Sequence, residues 1–261
     1  MPAESTSSES LATVLDFQRR TTELVADEVL DIDEGWIART PSLSDVWSLN
    51  HVRVDRPIAY EQAEILCRRY LPPRFDQLYV DDQAGGESLA EEFRDQGWEI
   101  DVEVHSVLVR SPDRPPGAVD IIEPGEDETL ALMERWLAED ETLHLTEEGL
   151  RQLVVSNRLT WRARHARRLG VRGPGGELVA MTLVFSDGQV AQVEDVYTVP
   201  EARGHGHARA LVTRAAELAR GAGHELTFIV ADDNDWPKEL YAKVGFEAVG
   251  RTWLLHRPLS R

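Results

Sequence analysis

One cysteine, Cys67, stands in the whole sequence, so no disulfide can close within the chain and a reducing compartment is expected. Lysine is almost missing: Lys238 and Lys243 are the only two among 28 basic residues, a skew that reads as genome composition rather than chemistry. Apolar runs stay well short of the roughly 18 residues that a membrane-spanning helix needs. The opening "MPAESTSSES" has no apolar centre and does not read as a signal peptide. No CxxC and no Cys/His cluster suggests a metal site. Positive charge is also short, with 28 Lys and Arg against 47 Asp and Glu, a formal balance of −19 over 261 residues. Nucleic-acid binding runs on basic side chains that neutralise phosphates, so this composition argues against it. The plainest reading of the excess acid is a solvated surface, and any partner it favours is cationic. These deficits leave a cytoplasmic protein with no membrane or nucleic-acid partner.

The chain's length suits two domains of roughly 100–150 residues each. Residues 1–10 read as a disordered tail. A helix is expected from Ala12 to Leu30, then a hairpin in "GWIARTPSLSDVWSLNHVRV", and an alternation of helices and strands to Arg110. "SPDRPPG", residues 111–117, breaks every period, and the boundary is placed there: 11–114 in front, 115–261 behind. Beyond it the strand and helix patterns restart. An internal echo links the halves. "LYVDDQAGGESLAEEFRDQGWE" and "FIVADDNDWPKELYAKVGFE" both run strand, acidic turn, helix, then Gly-aromatic-Glu, which pairs Phe93 with Tyr241. The first copy has no counterpart of "RGHGHA", so the front half reads as a worn duplicate.

That loop, in "VEDVYTVPEARGHGHARALV", is the most informative stretch. It is followed at once by "HARALVTRAAELARG", with Ala208, Leu211, Val212, Ala215, Leu218 and Ala219 on one helical face. The helix therefore starts on the loop, and its unpaired first N–H groups make an anion site. Gly204 and Gly206 let an oxygen approach the backbone without a Cβ in the way. Arg203 adds a charged donor. A pyrophosphate meets these requirements. No Gly-Lys-Ser/Thr follows, and Arg209 stands where a dinucleotide GxGxxG needs glycine, so neither of those phosphate loops is present.

"VYTVPEARGHGHA" resembles motif A of the GNAT superfamily of acyl-CoA N-acyltransferases, whose Arg/Gln-x-x-Gly-x-Gly/Ala pattern is matched by Arg203, Gly206 and Ala208. "NDWPKELYAKVGFE" resembles the family's motif B in the right order and separation. The resemblance covers about residues 118–261, and residues 11–110 only through the echo. It implies an α/β (α+β) fold with a mixed, mostly antiparallel central sheet flanked by helices, a catalytic half at 115–261 and a degenerate GNAT-like half in front. It implies acetyl-CoA as co-substrate, lying between strands that splay apart near 190–199 and 225–231. Val196, Tyr197 and Thr198 would meet the pantetheine arm through the main chain, Arg203, Gly204, His205, Gly206, His207 and Ala208 would cradle the pyrophosphate, and Asn234 would contact the arm.

The implied reaction passes an acetyl group to a primary amine in a ternary complex. Such a transfer needs a neutral amine, a stabilised thioester oxygen and a proton for the leaving thiolate. A fixed strand N–H such as that of Val196 would serve the oxygen. Tyr241 matches the family's proton-donating tyrosine, against the alternative of a core aromatic like Phe93. Glu194 is the candidate base; two residues before Val196, it is expected on the same strand face, with Asp195 on the other. An acidic residue at a strand start is otherwise a turn cap or a solvated group. His205 and His207 have no third ligand nearby and read as loop residues. Trp136 and His144 fall where acceptor pockets lie but equally suit core or surface. Cys67 reads as a buried core residue. The partner expected is a small-molecule or peptide amine, with a homodimer allowed. The alternative is a non-catalytic acyl-CoA-binding or regulatory module of the same fold. If the halves pack together, the acceptor pocket lies between them and "SLNHVRV" or "GWIARTP" contributes to it.

Overall fold

The computed structural model describes residues 2–73, 75–112, 119–140, 143 and 145–257, with the side chains of 2–5 excepted. Seven helices and eleven strands occur among them. The expected boundary at 114/115 and His144 lie outside the described residues.

The front half opens on α1 (Pro2–Val25), so residues 2–10 are helical rather than a loose tail. The reason lies downstream: Leu11, Val14 and Phe17 are buried, and the Phe17 ring meets Phe228 edge-on at 5.4 Å. A helix anchored so firmly propagates back through the serines at low cost per residue. It also ends earlier than periodicity suggests. "EVLDI" is not its last turn but β1 (Glu28–Ile32), paired antiparallel with β2 (Gly35–Arg39). Gly35 enables that tight return: its φ is +153°, and a Cβ there would lie 2.2 Å from the Arg53 carbonyl oxygen. β2 then pairs antiparallel with β3 (His51–Val54), as the hairpin reading expects. α2 (Tyr60–Tyr70), β4 (Gln77–Val80), α3 (Gly86–Asp95) and β5 (Glu99–Leu108) complete the half.

The back half runs β6 (Ile121–Ile122), α4 (Glu126–Glu139), α5 (Glu147–Ala163), β7 (Arg167–Arg172), β8 (Leu178–Ser186), β9 (Val190–Thr198), α6 (His207–Gly221), β10 (Leu226–Asp232), α7 (Pro237–Val244) and β11 (Phe246–His256). All eleven strands form one mixed sheet in the order β1-β2-β3-β4-β11-β5-β10-β9-β8-β7-β6. The centre of that order is an exchange. β11, from the back half, sits between β4 and β5; β5, from the front half, sits between β11 and β10. The two exchanged strands run antiparallel from Phe246↔Leu108 to His256↔Glu99. Both leave the same turn, Gly97-Trp98-Glu99 and Gly245-Phe246-Glu247, so the internal echo reappears as two twin strands side by side.

The cores follow this interlock. One cluster gathers α4–α7 around β7–β10 and takes in Val14 and Phe17 of α1. A second lies under α2 and α3, around Phe93 and Trp98, and takes in Trp253 and Leu255 of β11. Each half therefore completes the other's core. Arg164 seals the α1 crossing: its guanidinium lies 4.3 Å over the Phe17 ring and donates to Thr21 Oγ1 at 2.7 Å and the Phe17 carbonyl at 3.0 Å.

Candidate active site

β9 and β10 run parallel and paired from Val190/Leu226 to Val193/Ile229. Beyond that rung they part. β9 stays on β8 as far as Thr198, while β10 stays on β5 as far as Asp232. The result is an open V with strand edges on both sides. The equivalent parallel pair in the front half, β3 and β4, does not part: Val54 pairs with Val80, and the Asp81 N–H still donates to the Val54 carbonyl at 2.9 Å. Among the described residues, only the back half offers a cleft between strands of this kind.

At the outer end of β9 the chain makes one turn at Pro200–Ala202 and reaches the glycine loop. Gly204 and Gly206 have φ of +80° and +79°, with open space where a Cβ would project. Both are in the left-handed region, which costs an L side chain roughly 1–2 kcal/mol. α6 begins at His207, and its first bond runs from the Ala210 N–H to the Gly206 carbonyl at 3.0 Å. The N–H groups of His207, Ala208 and Arg209 therefore project from the helix end toward the loop. Arg203 is tethered by its Nε to the Thr198 carbonyl at 3.1 Å. The Thr198 hydroxyl, His207 Nδ1 and Arg209 Nε are buried at this end with no hydrogen-bond partner. Unpartnered donors, open glycines and a helix start together fit a diphosphate and the polar arm behind it. Asn234 lies exposed in the β10–α7 loop, its N–H bound to the Asp232 carboxylate at 2.7 Å.

The β9 residues after the splay have different surroundings. Tyr197 points away from the V: its ring stacks on Trp136 at 5.2 Å and its hydroxyl donates to Glu139 at 3.1 Å. That makes Trp136 a support for β9 rather than a pocket wall. Val196 packs against the main core. Glu194 and Asp195 are the surprise. Glu194 pairs with Leu183 and Tyr197 with Met181, so two residues of β9 oppose Thr182 alone. This is a β-bulge, with Asp195 at φ +53°. The Thr182 hydroxyl fills the gap by donating to the Glu194 carbonyl at 2.9 Å. The bulge resets the two-residue alternation. Glu194 and Asp195 face the same cavity, whereas simple alternation puts Asp195 opposite and Val196 beside Glu194.

That cavity, about 230 Å³, lies at the junction of the halves. The back half supplies Phe185, Gln192, Glu194 and Asp195 from the sheet, and Ser156 and Asn157 from α5. The front half supplies His51, Arg53, Tyr79 and Glu103, and α1 contributes Gln18 and Thr21. "SLNHVRV" thus contributes to the pocket, and Trp36 of "GWIARTP" stands behind it against His51, ring to ring at 5.1 Å. Burial pushes the Glu194 carboxyl well above the ordinary range, with the Asp195 charge adding to it, while Gln192 donates to Glu194 and draws it back. Burial likewise raises Asp195. Glu103 is pushed up to about 7 by burial, partly offset by Arg53. His51 and Arg53 fall within "SLNHVRV", but no sequence signal pointed to Glu103 or Tyr79, because the exchanged β5 and β4 reach the cavity only through tertiary pairing.

Tyr241 lies on α7, buried, with its ring edge toward Phe246 at 6.5 Å. Burial, then the nearby Glu194 and Asp235 charges, raise its pKa, so the phenol keeps its proton across the neutral range. α7 packs against α6, β10 and β11, which brings Tyr241 to the same side of the V as the glycine loop's helix. Cys67 is buried on α2, its thiol pushed up to about 12 by desolvation, which suits a core residue and not a nucleophile.

Residues 130–246 match the model of the acetyltransferase (GNAT) family. The back half therefore carries a GNAT-family match, which supports acyl-CoA-dependent acetyl transfer in general. Among solved structures, a functionally unknown conserved protein from Staphylococcus epidermidis aligns over 91% of this chain and 96% of its own, at 12% identity and TM-score 0.65. A GCN5-related N-acetyltransferase from Kribbella flavida aligns over 95% and 94%, at 17% identity and TM-score 0.60. A tandem GNAT protein from the clavulanic acid biosynthesis pathway aligns over 80% and 75%, at 16% identity and TM-score 0.52. At these identities the likeness is one of fold, and it extends through the front half, consistent with a degenerate repeat there. No curated protein matches the sequence.

Proposed function

We propose that this chain is an N-acetyltransferase that moves the acetyl group of acetyl-CoA to a primary amine by direct attack in a ternary complex. The observation that carries the reading is the parting of β9 and β10 after Val193/Ile229, with a glycine loop and helix start at one end and a carboxyl-lined cavity at the other. Acetyl-CoA, when bound, supplies an acyl group activated as a thioester. The amides from Arg203 to Ala208 hold the diphosphate, the free edge of β9 from Val196 to Thr198 takes the arm, and Asn234 closes on it from the other side.

The residues then divide the proton traffic. An amine arrives as ammonium at neutral pH and must lose a proton before it can attack. Glu194 takes that proton, directly or through water; its raised pKa brings a carboxylate close to the working pH, where a base is most effective. Tyr241 keeps its proton until negative charge appears beside it on the departing sulfur, then donates it. An amide of the β9 edge, that of Val196, steadies the oxygen as it gains charge.

The test is to incubate the protein with acetyl-CoA and a panel of primary amines and to titrate free thiol. Amine-dependent thiol release supports the proposal. Coenzyme A binding with no release on any amine would favour the non-catalytic module instead.

A further inference from the structure

The charges around the cavity do not balance. Among the described residues, Arg53 is the only cationic side chain that lines it, and its guanidinium is already spent on Asp81, with Nε to Oδ2 at 2.6 Å and Nη2 to Oδ1 at 2.8 Å. It is further boxed by the rings of Tyr79 at 5.3 Å and Trp36 at 5.9 Å. Once that pair is set aside, three carboxyls remain on the walls: Glu194 and Asp195 from β9, and Glu103 from the exchanged β5. One of them suffices to take the proton of a single amine. Glu103 and Glu194 line one cavity of about 230 Å³, so a single short ligand inside it can meet both.

A second feature of the same cavity points to a ligand. His51 is only 3% exposed, yet neither ring nitrogen makes a hydrogen bond. The Trp47 and Ser48 carbonyls lie near the ring outside hydrogen-bond geometry. Burial and the Arg53 charge lower its pKa to about 3, so it is neutral and keeps one nitrogen as an acceptor. A buried polar group left without a partner costs on the order of 1–3 kcal/mol. A donor arriving in the cavity removes that cost. An ammonium is such a donor, and it also answers the unbalanced carboxyls.

We propose that the cavity selects acceptors with two cationic groups, one amine meeting Glu194 and a second ammonium held by Glu103 with His51 as a further acceptor. This rests on the cavity being the acceptor site of the transfer proposed above. Glu103 is then a specificity-determining residue supplied by the degenerate half, which gives that half a role although it has no cleft of its own. The charged groups that act on Glu103 are Arg53, Asp81, Asp101 and Asp232; with the Arg53–Asp81 pair set aside, the remaining two are acids, which favours a cation beside it.

The experiment uses three acceptors of equal reach: diaminobutane, butylamine and aminobutyrate, with thiol release from acetyl-CoA as readout on the full chain. The expected order of kcat/KM is diaminobutane first, by roughly tenfold or more over butylamine, with the carboxylate-bearing aminobutyrate last. In Glu103→Gln the ratio of diamine to monoamine falls to about one. Equal rates on diamine and monoamine in the wild type, or a preference for aminobutyrate, overturn the inference and leave the transfer reaction standing. The wild-type series decides this even if the variant does not fold. If no amine is turned over, the transfer reading fails, and calorimetry with diaminobutane on the coenzyme A-loaded protein decides the cation site alone. Saturable uptake that butylamine does not match supports it, and no uptake overturns it.

Discussion

A phenol and a carboxyl carry most of the proposed chemistry, and each makes a separable prediction. Tyr241→Phe removes only the donor proton, from a ring whose packing against Phe246 is retained. Coenzyme A affinity should stay near the wild-type value while turnover falls roughly 10²–10⁴-fold, the usual worth of a positioned acid. Unchanged turnover removes the phenol from the mechanism. Glu194 acts as a base only when ionised, and burial beside Asp195 raises its pKa. Its activity should therefore climb with pH through a value above the ordinary carboxylate range, not below it. Glu194→Gln should flatten that climb in kcat/KM, and a profile identical to the wild type would dismiss the residue. Tyr241 and Glu194 were legible because each sits at a fixed distance from a local pattern, the glycine after α7 and the strand before the loop. Asp195 was misplaced because alternation holds only in an unbroken ladder. The bulge opposite Thr182 is a property of two strands together, and no reading of one of them shows it.

Among the elements, the loop and helix from Arg203 to Gly221 were read with the greatest fidelity: the helix starts at His207 and ends at Gly221, as its apolar spacing predicts. The information is local, since an apolar face, two glycines and an unpaired first turn all lie within one stretch. Gly206→Ala tests the element. A methyl group meets nothing within 4 Å, so the change acts through backbone conformation alone. Rebuilding the left-handed turn costs roughly 1–2 kcal/mol, so coenzyme A should bind about fivefold to thirtyfold more weakly, with little loss of thermal stability if the loop relaxes. Calorimetric affinity equal to wild type would detach the loop from the cofactor. α1 shows the opposite case. Its sequence predicts an amphipathic helix but misjudges both ends, because its start is fixed by Val14 and Phe17 in a core built mostly by the back half and by Leu11 against Gly250 of β11. Its end is fixed by a hairpin that depends on Gly35 lying against Arg53.

At the scale of the whole molecule, the exchange of β5 and β11 makes the halves interdependent. β5 shares ten rungs with β11 and five with β10, and β4 holds the other side of β11, so a chain beginning at residue 119 would leave β10 with an unpaired edge and β11 without a strand partner. Expressed alone, residues 119–261 should be insoluble or lack a cooperative thermal transition, and co-expression with residues 1–112 should restore both. A well-folded, coenzyme A-binding fragment would show that β5 is dispensable. The same exchange brings Glu103 into the cavity, so the front half shapes the proposed acceptor site. By itself the sequence determined the repeated strand–helix–strand unit and the single glycine loop, which are written in short-range spacing where backbone sterics and helix geometry leave few alternatives. The class of fold and the phenol on α7 came from the resemblance of two motifs to a family. The tertiary structure alone decided which strands lie side by side, where β9 bulges, and which carboxyls share a cavity. Those outcomes depend on hydrogen-bonded pairing between residues far apart in the chain, and no local pattern specifies a partner.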